Sequence, residues 1–294
     1  MCPVRFAVVA NRATATNAAL AACVHGPRWD VLTPSAALSS LATGDVAIGR
    51  LDVLETLDGV DDGLWVLGAL EARGVRVLNG PSALLATHDK LLTARLLARA
   101  GLPHPATRVV QAHGPAPRTL AAAVVVKPRF GTSGRDVVRC ENECQLRLHL
   151  DSLTGSGWFL RHGALVQRLV QPRGYDLRLV VAAGRVVGAV IRVAPDGEWR
   201  TNVALGARRL PTKPPLGAKE LALAAARAVG ADLVGVDLLP ESGSWTILEL
   251  NGAAEFNAEY SLHRDVFDAV RFELGRKALG DGRASPHGVP VLTP

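Results

Sequence analysis

The chain has 294 residues and is 48% hydrophobic, enough to bury a large core and to divide into two or three subdomains. Charged residues interrupt every long apolar run before it could span a bilayer, which argues against a membrane location and for a soluble cytoplasmic protein. The net charge of +6 comes without basic blocks, and 6 Phe, 2 Tyr and 5 Trp are too thinly spread to interleave with it, so nucleic acid is not expected and acidic small ligands are.

Residues 1–78 alternate short apolar runs with helical stretches. Val4–Ala10, Trp29–Leu32 and Val75–Leu78 read as strands; about Thr16–Val24 and Leu64–Arg73 read as helices. Strands alternating with helices predict a small α/β layer with parallel strands. Leu20-Ala21-Ala22-Cys23 resembles a lipoprotein cleavage site, but Asn11, Arg12, Thr14, Thr16 and Asn17 break the apolar stretch such a signal needs. Cys2, Cys23, Cys140 and Cys144 have no framework spacing and are expected to be reduced. Residues 44–65, with Arg50, Asp52, Asp61 and Asp62, read as a solvated loop, or alternatively as one wall of a substrate site.

Two helices are expected between Pro81 and Gly101, followed by loop-like connectors at Leu102-Pro103-His104-Pro105 and 113–117. Only five of the 33 basic residues are Lys, so a Lys inside an apolar strand calls for a specific reason, such as the compact charge of a phosphate site. Val124-Val125-Val126-Lys127-Pro128 is such a strand. It runs into Gly131, Thr132, Ser133 and Gly134 and then a second strand, 136–140. That loop could offer backbone N–H groups to anionic oxygens, or be an ordinary hairpin with glycine at its positive-φ positions.

Ala164–Val170 reads as a strand. Asp176–Ala183 and Arg185–Val193 pair around Ala183-Gly184. A three-residue turn would bring Asp176, Arg178 and Arg192 to one face; a two-residue turn would flip Arg192 away. An Ala-rich helix covers about 217–229. Two β-prone runs then flank Pro240-Glu241-Ser242-Gly243-Ser244. With the turn centred on Gly243, Asp237 faces Glu249, and Asn251 shares that face. Two carboxylates and an amide oxygen so close suit a cation such as Mg2+, with an ordinary polar hairpin as the alternative. The stretch 277–294 reads as a mobile tail.

Taken in order, Asp89-Lys90, Val126-Lys127 with the Gly131–Gly134 loop, Tyr175-Asp176-Leu177-Arg178, Trp199-Arg200-Thr201-Asn202 and Asp237…Glu249-Leu250-Asn251 resemble the ATP-grasp superfamily, specifically the RimK-like amino-acid ligases. The resemblance covers about residues 75–262. It implies an ATP-grasp fold of α+β lobes behind an N-terminal Rossmann-like lobe: 1–78, a central lobe 79–160 and a C-terminal lobe 161–276. It also implies an ADP-forming ligase that joins a small-molecule or peptide carboxylate to an amino acid, with glutamate favoured, through an acyl phosphate. A small-molecule kinase, a ligase using a different amine, or a non-catalytic nucleotide-binding module on the same fold are the alternatives. By the same resemblance Lys90 and Lys127 face the phosphates and the Gly131–Gly134 loop covers them. Backbone groups of Gln167, Arg168, Leu169 and Val170 meet adenine, and Asp176 meets the ribose. Asp237, Glu249 and Asn251 hold Mg2+, or Mn2+ in its place. Arg178, Arg192 and Arg200 stabilise the transferring phosphoryl group, and Asn202 adds a phosphate or metal contact. The assembly is expected to be a homodimer or homotetramer. Two departures stand out: Arg168 occupies a position where the family often has Glu, and Gly252-Ala253-Ala254-Glu255-Phe256 replaces Ser-Pro-Gly after the metal Asn.

Overall fold

The computed structural model describes residues 3–22, 28–112, 114 and 122–280. Cys2, Cys23, most of the 113–117 connector and residues 281–294 of the expected tail lie outside them. Of the other cysteines, Cys140 is buried, Cys144 exposed, and both are free. No helix among the described residues is long and apolar enough to cross a membrane.

The first lobe holds β1 (Phe6–Val9), α1 (Ala15–Ala22), β2 (Trp29–Leu32), α2 (Pro34–Ser40), β3 (Val46–Gly49), α3 (Leu64–Ala72) and β4 (Arg76–Leu78). Its four strands are parallel, in the order β2-β1-β3-β4. The 44–65 stretch is not a solvated loop. Val46, Ala47, Ile48 and Gly49 form the buried strand β3, and Arg50 and Asp61 are 3% and 6% exposed. Four apolar residues in a row are the pattern of a parallel strand covered on both faces, which alternation rules do not detect.

Next come α4 (Pro81–His88), α5 (Lys90–Arg99), β5 (Thr107–Val110), β6 (Val124–Pro128), β7 (Val138–Cys140), α6 (Glu143–Ser152), α7 (Gly157–His162) and β8 (Ala164–Arg168). β5 to β8 form an antiparallel sheet in the order β5-β8-β6-β7. The helices α4 and α5 turn away from it: Ala86 and Leu97 pack in the core of the following sheet.

That sheet contains β9 (Tyr175–Ala182), β10 (Arg185–Val193), β11 (Arg208–Pro211), β12 (Leu233–Glu241) and β13 (Ser244–Asn251), in the order β11-β10-β9-β12-β13. Helix α8 (Leu216–Val229) covers one face; α9 (Val266–Leu279) and the first lobe cover part of the other. α9 is helical through Leu279, three residues into the stretch expected to be tail. Along β9 the odd residues Leu177, Leu179 and Val181 face α8. Of the even residues, Val180 and Ala182 pack towards α9, which leaves Asp176 and Arg178 on the same face at the open end.

Two bulges set the register that matters. Ala183-Gly184 is a two-residue turn with both φ angles positive, which by strict alternation would send Arg192 to the wrong face. The pairing slips by one between Val186 and Gly188, and Arg192 ends opposite Asp176. The β12–β13 hairpin repeats the device. Its turn is Ser242-Gly243, and a slip at Leu248 brings Glu249 opposite Asp237.

Candidate active site

The central sheet and the C-terminal sheet face each other across a cleft of about 870 Å³. One end is apolar: Val125, Leu169, Val170, Pro172, Leu239 and Leu248 line it. The Leu248 bulge lets Leu248 and its neighbour Glu249 both reach this cleft. The other end carries Lys90, Lys127, Arg192, Asp237 and Glu249. A second cavity of about 850 Å³ opens behind that charged end. The two share Lys90, Gly131, Thr132, Ser133, Arg192, Asn202 and Glu249. The second cavity then runs past Arg178, Asn251 and Tyr260 to Asp52 and Glu255 near the first lobe.

Lys127 is 5% exposed near the end of β6. Burial pulls its pKa down to about 8, with Glu249 opposing and Lys90 adding to the fall. Its Nζ donates to Gln167 Oε1 at 2.8 Å. The two side chains meet because Lys127 pairs with Leu165 and Val125 with Gln167, which makes them diagonal neighbours on one face. Gln167 thus contributes its side chain here, rather than only backbone. Lys90 begins α5, and its Nζ donates to the Gly131 carbonyl at 2.5 Å and lies 3.6 Å from Glu249. Asp89 before it caps the helix, accepting from Leu91 N and Leu92 N, and its carboxylate grips Arg129. The glycine loop is therefore anchored to α5 through both Asp89 and Lys90. Ser133 and Gly134 have φ of 57° and 74°, and a Cβ on Gly134 would sit 2.8 Å from Asn202 Oδ1, so glycine is required there.

Four charges lie side by side on the C-terminal sheet. Asp237 receives Arg178 Nε and Nη2 at 2.5 and 2.6 Å and Arg192 Nη2 at 2.7 Å. Burial alone would raise its pKa, but the two guanidiniums outweigh it and hold the carboxyl well below the usual range. Arg192 also forks onto Asp176, with Nε–Oδ1 at 2.8 Å. Two arginines and two aspartates neutralise each other, as burial of charge demands.

Asp176 does not stand where a ribose could meet it. It is fully buried, Arg192 and Thr201 occupy its two oxygens, and it lines neither cavity. It orients Arg192. Arg200 is bound to Glu198, with Nη2–Oε2 at 2.8 Å, and reaches the Gly134 carbonyl at 3.2 Å, so it too braces the glycine loop. Arg168 bridges the cleft mouth to Glu241 at 2.6 Å, a lobe-to-lobe contact that a Glu at this position could not make. Leu169 and Val170 follow the end of β8 and supply apolar wall. Glu255 accepts from Thr14 Oγ1 at 2.8 Å and lies 3.3 Å from Arg50 Nη2, which ties the 252–256 loop to the first lobe.

Sequence reading missed the grip of Asp89 on Arg129, the role of Thr201 beside Asp176, and His104. It also missed Arg209, which pairs with Arg192 across β10–β11 and lines the second cavity. Asp89 and Thr201 sit inside quoted motifs that name no partner for them, and Arg209 is brought in by the register of β10 and β11.

Residues 87–264 match the RimK-like ATP-grasp domain family. The chain belongs to the RimK-like ATP-grasp family. It is 33% identical over 214 residues to the tetrahydromethanopterin:alpha-L-glutamate ligase of Methanosarcina acetivorans. That match covers 67% of this chain and 65% of the relative's own length. The D-alanine–D-alanine ligase of Bacillus anthracis, solved with ATP, superposes with a TM-score of 0.69 at 13% identity, covering 94% of this chain and 98% of that one. A RimK domain protein of Sphaerobacter thermophilus superposes at 0.61 with 20% identity, covering 94% and 100%. The fold is accordingly the ATP-grasp fold, of mixed α and β lobes with a parallel-sheet lobe in front.

In this RimK-like chain the metal candidates are Asp237, Glu249 and Asn251. No group of three His, Cys, Asp or Glu side chains gathers as metal ligands among the described residues, so the set is two carboxylates plus one amide. Asp237 and Glu249 face each other across the ladder and both line the cleft. Asn251 lines the second cavity, with its Oδ1 accepting from Ala253 N at 2.9 Å. Hard oxygen donors at the junction of two cavities fit Mg2+ in kind. The balancing cations are Lys90 near Glu249 and the two arginines on Asp237.

Proposed function

We propose that this protein is an ATP-dependent carboxylate–amine ligase that makes an amide through an acyl phosphate. The observation that carries the reading is the meeting of two cavities at one charged wall. One has an apolar end and the phosphate-type lysines Lys90 and Lys127, and the other shares Lys90, Arg192 and Glu249 with it. A nucleotide in the first cavity sets its base against Val125, Leu169, Val170 and Leu248 and its phosphates against Lys90 and Lys127. The substrate carboxylate attacks the γ-phosphorus from the second cavity, and ADP leaves. The amine then attacks the acyl carbon, and phosphate leaves carrying one oxygen of the former carboxylate. Phosphoryl transfer asks for positioning and charge neutralisation, which Lys90 and Arg192 supply at the shared wall and Lys127 supplies from the first cavity. Asp237, Glu249 and Asn251 would hold Mg2+, or Mn2+, whose contribution is to neutralise and polarise the phosphate oxygens. The glycine loop, braced by Arg200 and Lys90, keeps water from the acyl phosphate.

The amine we assign is that of an amino acid, glutamate first, in line with relatives named as alpha-L-glutamate ligases. The carboxylate partner is a small molecule or a peptide. The lobe boundaries we favour are 1–78, 79–160 and 161–276, and the same reading puts the protein in the cytoplasm, where ATP is available. Incubation with ATP, Mg2+, the twenty amino acids and a pool of carboxylates, read by mass spectrometry, tests this. The expected products are ADP, phosphate and an amide. A stable phosphate ester with no amide would instead establish a kinase.

A further inference from the structure

His104 lines neither cavity, yet it is bonded on both sides, and its partners decide which ring nitrogen carries the proton. The Lys127 ammonium can only donate, so the Gln167 atom 2.8 Å away is the amide oxygen. The amide nitrogen is thereby turned away, to 2.7 Å from Thr107 Oγ1 and 3.2 Å from His104 Nε2. Thr107, itself 3.3 Å from that ring nitrogen, gives its hydroxyl proton to the Pro105 carbonyl at 2.8 Å and so can accept from the amide. The second amide hydrogen faces His104 Nε2, which must then present a lone pair. The ring proton therefore sits on Nδ1, 2.8 Å from the Ile247 carbonyl, which can only accept. Burial depresses this histidine's pKa to about 4, with the Ile247 bond opposing, in keeping with a neutral ring.

The contact joins two lobes. Gln167 and Lys127 belong to the central sheet, and Ile247 belongs to the edge strand of the C-terminal sheet, two residues before Glu249. The Ile247 N–H donates to the Pro103 carbonyl at 2.9 Å, so the Pro103-His104 segment takes up both polar groups of that residue. Prolines on either side of His104 stiffen the segment.

We propose that His104 is a positioning residue, a neutral clasp that holds Gln167, and through it Lys127, in register with the C-terminal lobe so that the lysine points at the nucleotide phosphates. The inference rests on the nucleotide reading above and adds a residue behind the cleft to it. An Nε2–H tautomer, or a protonated ring, would set an N–H against the amide hydrogens and release Gln167.

Three variants of the full chain test the clasp by calorimetry with AMP-PNP and Mg2+, which needs neither the carboxylate nor the amine. His104→Gln can return an oxygen near the Nε2 position, His104→Asn an N–H near Nδ1, and His104→Ala returns nothing. The clasp predicts about a tenfold loss of affinity for Ala, the weight of one buried hydrogen bond, a similar loss for Asn, and less than about a threefold loss for Gln. Thermal unfolding of each variant accompanies the titrations, since a purely structural role would follow stability and favour Asn, which keeps the bond to Ile247. Equal affinity in all three, or Asn binding better than Gln, overturns the proposal. A ring 15N spectrum of the ligand-free protein gives an independent reading: Nδ1 bearing the proton supports the clasp, and Nε2 bearing it sinks the clasp. Failure of the wild-type chain to bind AMP-PNP would count against the nucleotide reading, while the tautomer would still decide the clasp.

Discussion

At the scale of single residues, charge and burial decide what each group can do. Lys127 is buried beside the cleft with one neutral partner, Gln167, and so keeps its charge for a ligand. Lys127→Ala should leave the fold intact and weaken ATP binding by about 2 kcal/mol, the worth of a charge-assisted contact, with turnover largely lost. Calorimetry with AMP-PNP checks it, and wild-type affinity would remove Lys127 from the site. The two glutamates of the last hairpin make a sharper pair. Glu249 faces Asp237 and lines both cavities, whereas Glu241 pairs with Arg168 at the cleft mouth. Glu249→Gln should abolish catalysis and raise the Mg2+ requirement. Glu241→Gln should cost at most about 1 kcal/mol, as an exposed ion pair does. Equal, small effects in steady-state assays would return the hairpin to an ordinary polar turn. Residue types stood out at this scale because a buried Lys in an apolar strand and facing oxygen donors are chemically distinctive. Partners were not: Asp176 had the right type for a ribose, and only burial against Arg192 and Thr201 gives it a bracing role.

At the scale of elements, register did the work that spacing alone could not. The sequence left open whether Arg192 joins Asp176, because that turned on whether two or three residues form the Ala183-Gly184 turn. The turn has two, and the slip beside Val187 restores the alignment. The Asp237–Glu249 pairing was foreseen on a turn centred at Gly243. It arises instead from a turn at Ser242-Gly243 plus a slip at Leu248. A bulge leaves no residue-type mark in apolar β-prone runs such as these, so it cannot be read from them. Helix starts, by contrast, are chemically marked. Asp89 both caps α5 and holds Arg129 next to the glycine loop. Asp89→Ala should therefore destabilise the protein by about 1–2 kcal/mol through the cap alone. Asp89→Asn, which can still cap, should recover most of that loss but not the grip on Arg129. Urea midpoints of the two variants test the difference, and indistinguishable midpoints would show that the cap is not what matters.

At the scale of the whole molecule, three lobes are joined by buried polar groups that tolerate one protonation state. His88 and His104 sit at lobe junctions, and burial depresses their pKa values to about 3 and about 4. An unfolded histidine titrates near 6.5, so the folded state binds fewer protons below that pH. Their contribution is complete above about pH 6.5 and is lost as pH falls towards the folded values, at about 1.4 kcal/mol per pH unit each. The protein should be clearly less stable at pH 5 than at pH 7, and His88→Gln should flatten that dependence in denaturant titrations. An unchanged slope would mean that His88 is not the group responsible. The parallel first sheet was legible from the alternation of strands and helices. Buried strands such as β3, and the junctions made by Arg50, Glu255 and His104, were not, because they are set by contacts between residues far apart in the chain.

The central claim is that a carboxylate is activated by the γ-phosphate of ATP and then taken by an amine, and the fate of one oxygen tests it most directly. With a substrate carboxylate labelled with 18O, ATP, Mg2+ and the amine, the account predicts ADP and inorganic phosphate carrying one 18O atom per amide formed. Unlabelled phosphate, or AMP and pyrophosphate as products, would contradict it.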